Sequence, residues 1–182
     1  ALVVTAMPID SYAESENTTT ESNGYQVSSQ ILSFENEYTS VHMSGKNGGF
    51  YISNKEGDKT IKSDNNKELL YHNDEYDTSF TSFKITKNGE SNVYIFGGDY
   101  SFEGIETSPV TVSKDEKGLS AKWTLGELEF TQRLELANTG SNEHGKVYIS
   151  YNVVNKGTDD VDIEARILLD SAMGSQDYVY YE

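Results

Sequence analysis

The stretch "GELEFTQRLELA" (Gly126–Ala137) decides the fold. Leu128, Phe130, Leu134 and Leu136 stand on one side of it, and Glu129, Thr131, Arg133 and Glu135 on the other. That is the period of two that a half-buried strand imposes. The next two segments repeat it. In "KVYISYNVVN" (146–155), Val147, Ile149, Tyr151 and Val153 share a face. In "DVDIEARILLD" (160–170), Val161, Ile163, Ala165, Ile167 and Leu169 face a core, while Asp162, Glu164, Arg166 and Asp170 face water. Sheets with one wet face are antiparallel and pack on a second sheet.

Working outward, short strands are expected over 25–34, 38–44, 50–53, 79–86, 92–96, 110–113, 119–125, 127–137, 146–155 and 160–170. A helical turn is expected near 65–70. Turn chemistry separates the strands. Asn88-Gly89 suits the positive φ values of a type I′ hairpin turn. Asp115–Gly118 and Asn155–Thr158 suit longer loops with Gly118 and Gly157 left-handed, and Gly45–Gly49 is another tight reversal. No sustained helical period and no internal repeat occurs. The expected class is therefore all-β, an antiparallel β-sandwich. Core positions include Leu128, Phe130, Leu134, Ile149, Tyr151, Ile163 and Ile167.

Composition agrees. The 182 residues carry 12% aromatics, 13 tyrosines and only 2 prolines, which leans towards strands. A net charge of −16, from 30 acidic and 14 basic residues, would repel a phosphate backbone, so nucleic acid is not an expected partner. Neutral sugars, cationic groups and calcium stay compatible. Without cysteine there is no disulfide, no thiolate nucleophile and no zinc-thiolate site.

"ALVVTAMPIDSYAES" (1–15) runs through small and apolar residues to Ser11-Tyr12-Ala13, which fits secretory cleavage after Ala13. The domain reading is a signal-peptide remnant over 1–13, a polar flexible leader over 14–24 and a sandwich over 25–182. Both ends read as cut, the last inside the strand-like "DYVYYE" (177–182), so the chain is expected to be the N-terminal portion of a longer exported protein. No stretch is long and apolar enough for a membrane span.

Catalytic signatures are scarce. His42, His72 and His144 have no metal-ligand spacing, and neither a G-x-S-x-G nor a phosphate-binding glycine loop occurs. Paired carboxylates, as in glycoside hydrolysis, are compatible with so acidic a chain, but spacing singles out no pair. "KEGDKTIKSDNNKE" (55–68) offers Asp58, Asp64, Asn65, Asn66 and Glu68, oxygen ligands of the kind calcium takes, though turn formation explains them more simply.

"SDNNKELLY", "TSFTSFKI" with "NVYIFGG", "WTLGELEFTQRLEL" and "ARILLDSAMGSQD" together resemble an uncharacterised family of secreted or cell-surface bacterial proteins. Its members carry a D-D-N-K-x-L-L-Y-G-H-P run, a S-Y-T-T strand and a final R-x-L-L-D-T-x-L-G-x-N-D. The resemblance spans Tyr38 to Asp177. It implies a supersandwich-like fold similar to the sugar-binding sandwiches of galactose mutarotases and glycosidase accessory domains. Departures fall in the loops: His72 directly follows Tyr71, Asn73 stands in place of proline, and Ser171 and Gln176 replace threonine and asparagine.

The resembling segments include both Asp64–His72 and Asp170–Asp177. Asp64, Asn66, Tyr71, His72, Asp170 and Asp177 are therefore the expected ligand-binding set, bordering one groove at one end of the sandwich. Tyr71 would face a sugar ring, and the acids and amide would take its hydroxyls or a calcium ion. The expected function is a non-catalytic extracellular module that binds carbohydrate or protein, or acts as scaffold. The alternative is part of a carbohydrate-active enzyme whose catalytic residues lie partly beyond Glu182.

Overall fold

The computed structural model describes residues 3–4, 31–56, 60, 63, 65–72, 78–137 and 145–172. Its strands are β1 (Val3–Val4), β2 (Ile31–Glu35), β3 (Thr39–Ser44), β4 (Phe50–Asn54), β5 (Phe80–Lys87), β6 (Glu90–Ile95), β7 (Thr111–Lys114), β8 (Gly118–Leu125), β9 (Leu128–Leu136), β10 (Val147–Asn155) and β11 (Asp162–Leu168). They form a five-stranded sheet, β1-β10-β9-β8-β7, and two three-stranded sheets, β2-β3-β4 and β11-β5-β6. All pairings are antiparallel except that of β1, whose two residues run parallel to Tyr148 and Ile149 of β10. The fold is all-β and sandwich-like. Among the described residues no α-helix occurs, and no helix is long and apolar enough to cross a membrane.

The alternation read from the chain is what builds the core. Along β9 the burial alternates without a break, with Leu128, Phe130, Gln132, Leu134 and Leu136 inward. Trp123 of β8 lies 5.3 Å from Phe130, centroid to centroid, and Phe83 of β5 lies 4.6 Å from Phe130 on another side. Val41, Met43 and Phe50 of the β2-β3-β4 sheet join the same cluster. One apolar layer thus serves all three sheets.

Gln132 is the exception on the inward face of β9, and it is satisfied. Its amide Nε2 donates to the Gly48 carbonyl at 2.7 Å, and its Oε1 accepts from the Tyr151 hydroxyl at 3.1 Å. That hydroxyl is also bonded to Thr81 Oγ1. Gly48 belongs to the β3–β4 turn, Tyr151 to β10 and Thr81 to β5. A single buried polar chain therefore ties the three sheets together, and each member leaves its neighbour unsatisfied if removed.

The structure corrects three expectations. Ile163 and Ile167 are only partly buried, and Ala165 is exposed, because β11 is an edge strand with one open flank; Tyr151, on β10, is also only partly buried. The segment over 65–70 is not helical; it makes a turn at Asn65-Asn66 and then isolated bridges, Ser53 to Glu68 and Leu70 to Ser171. Gly118 and Gly157 are not left-handed. They are glycines for closeness instead: a Cβ at Gly118 would lie 1.9 Å from the Leu134 carbonyl oxygen, and one at Gly157 2.3 Å from the Glu127 carboxylate. The Asn88-Gly89 turn conforms to expectation, with φ values of 53° and 83°.

Val3–Val4 is the part of the 1–24 segment that the structure describes, and the leader over 14–24 lies outside the described residues.

Candidate functional sites

Residues 67–72 run beside β4 and reach the chain that follows β11. The Leu69 N–H donates to the Ile52 carbonyl at 2.7 Å, and the Asn54 N–H to the Lys67 carbonyl at 2.8 Å. Beyond that, the Tyr71 N–H donates to the Asp170 carbonyl at 2.7 Å and the Ala172 N–H to the Leu69 carbonyl at 3.0 Å. The segment therefore bridges the two small sheets.

Of the expected site residues, Tyr71 and Asp170 meet at this bridge through their main chains, and His72 follows Tyr71 in the chain. Asp64 and Asp177 lie outside the described residues. Asn66 stands apart: it is exposed in a turn at φ 56°, a conformation asparagine tolerates. Tyr71 is 41% exposed, so its ring is open to a ligand. Asp170 is also exposed, and its main chain does the bonding, with its N–H donating to Ser79 Oγ at 3.1 Å.

His72 is engaged elsewhere. Its ring stacks on Tyr51 at 4.0 Å and 12°, and Tyr51 stacks on His42 at 4.2 Å and 7°. His42 and Tyr51 are register partners on β3 and β4, so the strand pairing itself creates half of this three-ring stack. Ser33 Oγ and Ser40 Oγ hold the two His42 nitrogens at 2.7 and 3.0 Å. Burial first, and then the proximity of His72, lower the pKa of His42, favouring the neutral ring. With Tyr51 between them, the two imidazoles cannot share an ion. Among the described residues, no group of three or more His, Asp or Glu side chains is placed to hold a metal ion.

A second feature was not foreseen from the chain. A hollow of about 280 Å³ opens between the β3–β4 turn and the turn that follows β6. Phe80, Ile95, Phe96 and Tyr100 wall it, Asn47 and Asp99 add polar groups, and the backbone of Gly49, Gly97 and Gly98 completes it.

The turn after β6 is locked. In the β5–β6 hairpin the Phe96 N–H bonds to Thr81, so the peptide groups of Ile95 point away from β5. The turn caps both: the Tyr100 hydroxyl accepts the Ile95 N–H at 2.7 Å, and the Gly98 N–H donates to the Ile95 carbonyl at 3.1 Å. This also blunts an open sheet edge. Two glycines permit the close approach. At Gly97 (φ 78°) a Cβ would stand 2.2 Å from the Asn47 carbonyl oxygen, and at Gly98 one would stand 2.7 Å from the Tyr100 ring.

Asp99 Oδ1 accepts the Ser101 N–H at 2.9 Å and the Thr107 hydroxyl at 3.2 Å. Those bonds, the Ser101 N–H foremost, hold its carboxyl below the usual range, and it stays ionised at neutral pH. Asn47 Oδ1 accepts the Gly49 N–H at 2.9 Å, an Asx turn that fixes the amide. Among the described residues the Asn47 amide nitrogen donates to no protein group. The sequence signal was the run "IFGGDYSF" (95–102), whose paired glycines between aromatics serve a ring contact rather than a phosphate.

Comparison with known protein families, curated proteins and solved structures finds no match to this chain. Its own geometry therefore carries the functional reading.

Proposed function

We propose that this chain is a non-catalytic, extracellular β-sandwich module of a secreted or cell-surface bacterial protein, and that it binds a carbohydrate or protein partner through its loops. The observation that carries the reading is the hollow at Asn47, Asp99 and Tyr100. Its walls are aromatic, its polar groups are few and fixed by turns, and a rigid sheet presents it; these are the attributes of a preformed binding site. Asp115 and Glu135, by contrast, both grip Arg133. The Tyr71–Asp170 bridge offers a second exposed aromatic for the same purpose.

The test has two parts. A glycan-array screen of the purified chain is expected to return a defined set of carbohydrate ligands, with no turnover of those that bind. Release of reducing sugar from a bound glycan would instead make it part of an enzyme. N-terminal sequencing of protein recovered from the culture medium of an expressing bacterium is expected to begin at Glu14. Retention of the whole chain in the cytoplasm would remove the extracellular assignment.

A further inference from the structure

We infer that the hollow between the β3–β4 turn and the turn after β6 is a subsite for one uncharged sugar ring, and that it turns acidic sugars away. The inference rests on the binding reading above and specifies its ligand.

Three features select this class. First, Phe80 and Tyr100, with the buried Phe96 behind them, supply apolar surface against which the C–H face of a pyranose packs. Second, besides the Tyr100 hydroxyl, the two polar side chains of the lining are one donor and one acceptor. The Asn47 amide nitrogen has a free N–H pair, and the Asp99 carboxylate is an ionised acceptor. A vicinal diol needs that combination, since each hydroxyl both donates and accepts. Third, no lysine, arginine or histidine lines the hollow, and the whole chain carries −16. A uronate or sugar phosphate would meet Asp99 with no cation to offset it. The volume of about 280 Å³ admits a single ring and little more.

Rigidity favours the same ligand. Asn47 and Asp99 are held by the Gly49, Ser101 and Thr107 bonds, and Tyr100 by the Ile95 N–H, so little side-chain freedom remains to be lost on binding.

The experiment is saturation-transfer NMR on the full chain with millimolar glucose, galactose and N-acetylglucosamine, each alongside glucuronic or galacturonic acid. At least one neutral sugar is expected to receive saturation, and neither acid. Two variants keep the fold while altering the chemistry. Asn47→Asp retains the oxygen that accepts the Gly49 N–H but removes the donor, and Asp99→Asn retains the oxygen that caps Ser101 but removes the charge. Each is expected to weaken the neutral sugar about tenfold, the effect of one lost hydrogen bond. Asp99→Asn is also expected to admit the acidic sugars more readily. Transfer to the acids equal to that to the neutral sugars overturns the inference, as does neutral-sugar binding that both variants leave unchanged. If glycan-array ligands persist while the variants have no effect, the hollow is wrong and the module reading stands; if no glycan binds at all, this inference and the carbohydrate half of the module reading fall, leaving a protein partner.

Discussion

The hydroxyl of Tyr151 on β10 is hydrogen-bonded to the hydroxyl of Thr81 on β5, joining the five-stranded sheet to the sheet opposite. Tyr151 donates onward to Gln132, so Thr81 is the donor to Tyr151. Thr81 and Gln132 are each 1% exposed, which places the hydroxyl end of Tyr151 deep although its ring is only partly covered. Burial pushes the Tyr151 hydroxyl up to about 12.

That contact gives the first prediction. Tyr151→Phe leaves Thr81 and Gln132 without a shared partner and is expected to destabilise the fold by about 1–3 kcal/mol at neutral pH. The folded pKa is raised above the ordinary 10, so the stability linked to this group is fully present below pH 10 and lost as pH climbs through about 12. Urea unfolding at about pH 8 and about pH 11.5 should show a larger alkaline loss in the parent chain than in the variant. Burial also raises Tyr94, so the difference between the two proteins is the relevant quantity.

Phe130 is 0% exposed and touches Phe83 and Trp123. Phe130→Ala removes the ring against which two sheets pack. A loss of about 3–5 kcal/mol in equilibrium denaturation is expected. A loss below about 1 kcal/mol would mean that the site collapses freely around the missing ring.

Gly118 and Gly89 separate two reasons for glycine. Gly118→Ala drives a methyl group into the Leu134 carbonyl, a backbone atom that cannot step aside, and is expected to cost about 3 kcal/mol or more. At Gly89 (φ 83°) a Cβ meets nothing within 4 Å, so alanine there bears only left-handed strain, about 1 kcal/mol. Thermal melting of the two variants should rank them in that order.

Asp115 is held down to about 2, chiefly by its hydrogen bond from Arg133 and then by the N–H groups of Lys117 and Gly118. Its contribution is present above the ordinary carboxylate pKa of 3.8 and is lost as pH falls through about 2. The side chain is 55% exposed, so water screens the pair and the effect stays below about 1 kcal/mol. Asp115→Asn keeps an acceptor for the turn and should flatten this acid limb of the stability profile. Denaturation at about pH 5 and about pH 2 measures it.

Strand positions and hairpin turns were legible in the chain because their causes are local. Alternation along 128–136 is a property of neighbours two apart, and Asn88-Gly89 carries its own preference for positive φ. How deeply a strand lies was not legible. Ile163 and Ile167 alternate as cleanly as Leu134 and Ile149, yet only the latter pair is fully buried, because sheet order puts β11 at an edge. Only the resemblance to a family linked the segments of Tyr71 and Asp170, whose main chains hydrogen-bond in the structure; spacing alone did not pair them.

The stack of His42, Tyr51 and His72 had no trace in spacing, and the hollow that joins Asn47 to Asp99 and Tyr100 showed only as the paired glycines between aromatics of residues 95–102. Each depends on register between strands distant in the chain, and a shift of one residue would turn every side chain to the other face. By itself, then, the chain determined which residues extend, where they reverse and that the result is all-β. Only tertiary structure decided which side chains meet, because that rests on long-range pairing and on the buried Gly48–Gln132–Tyr151–Thr81 chain, whose members come from three sheets.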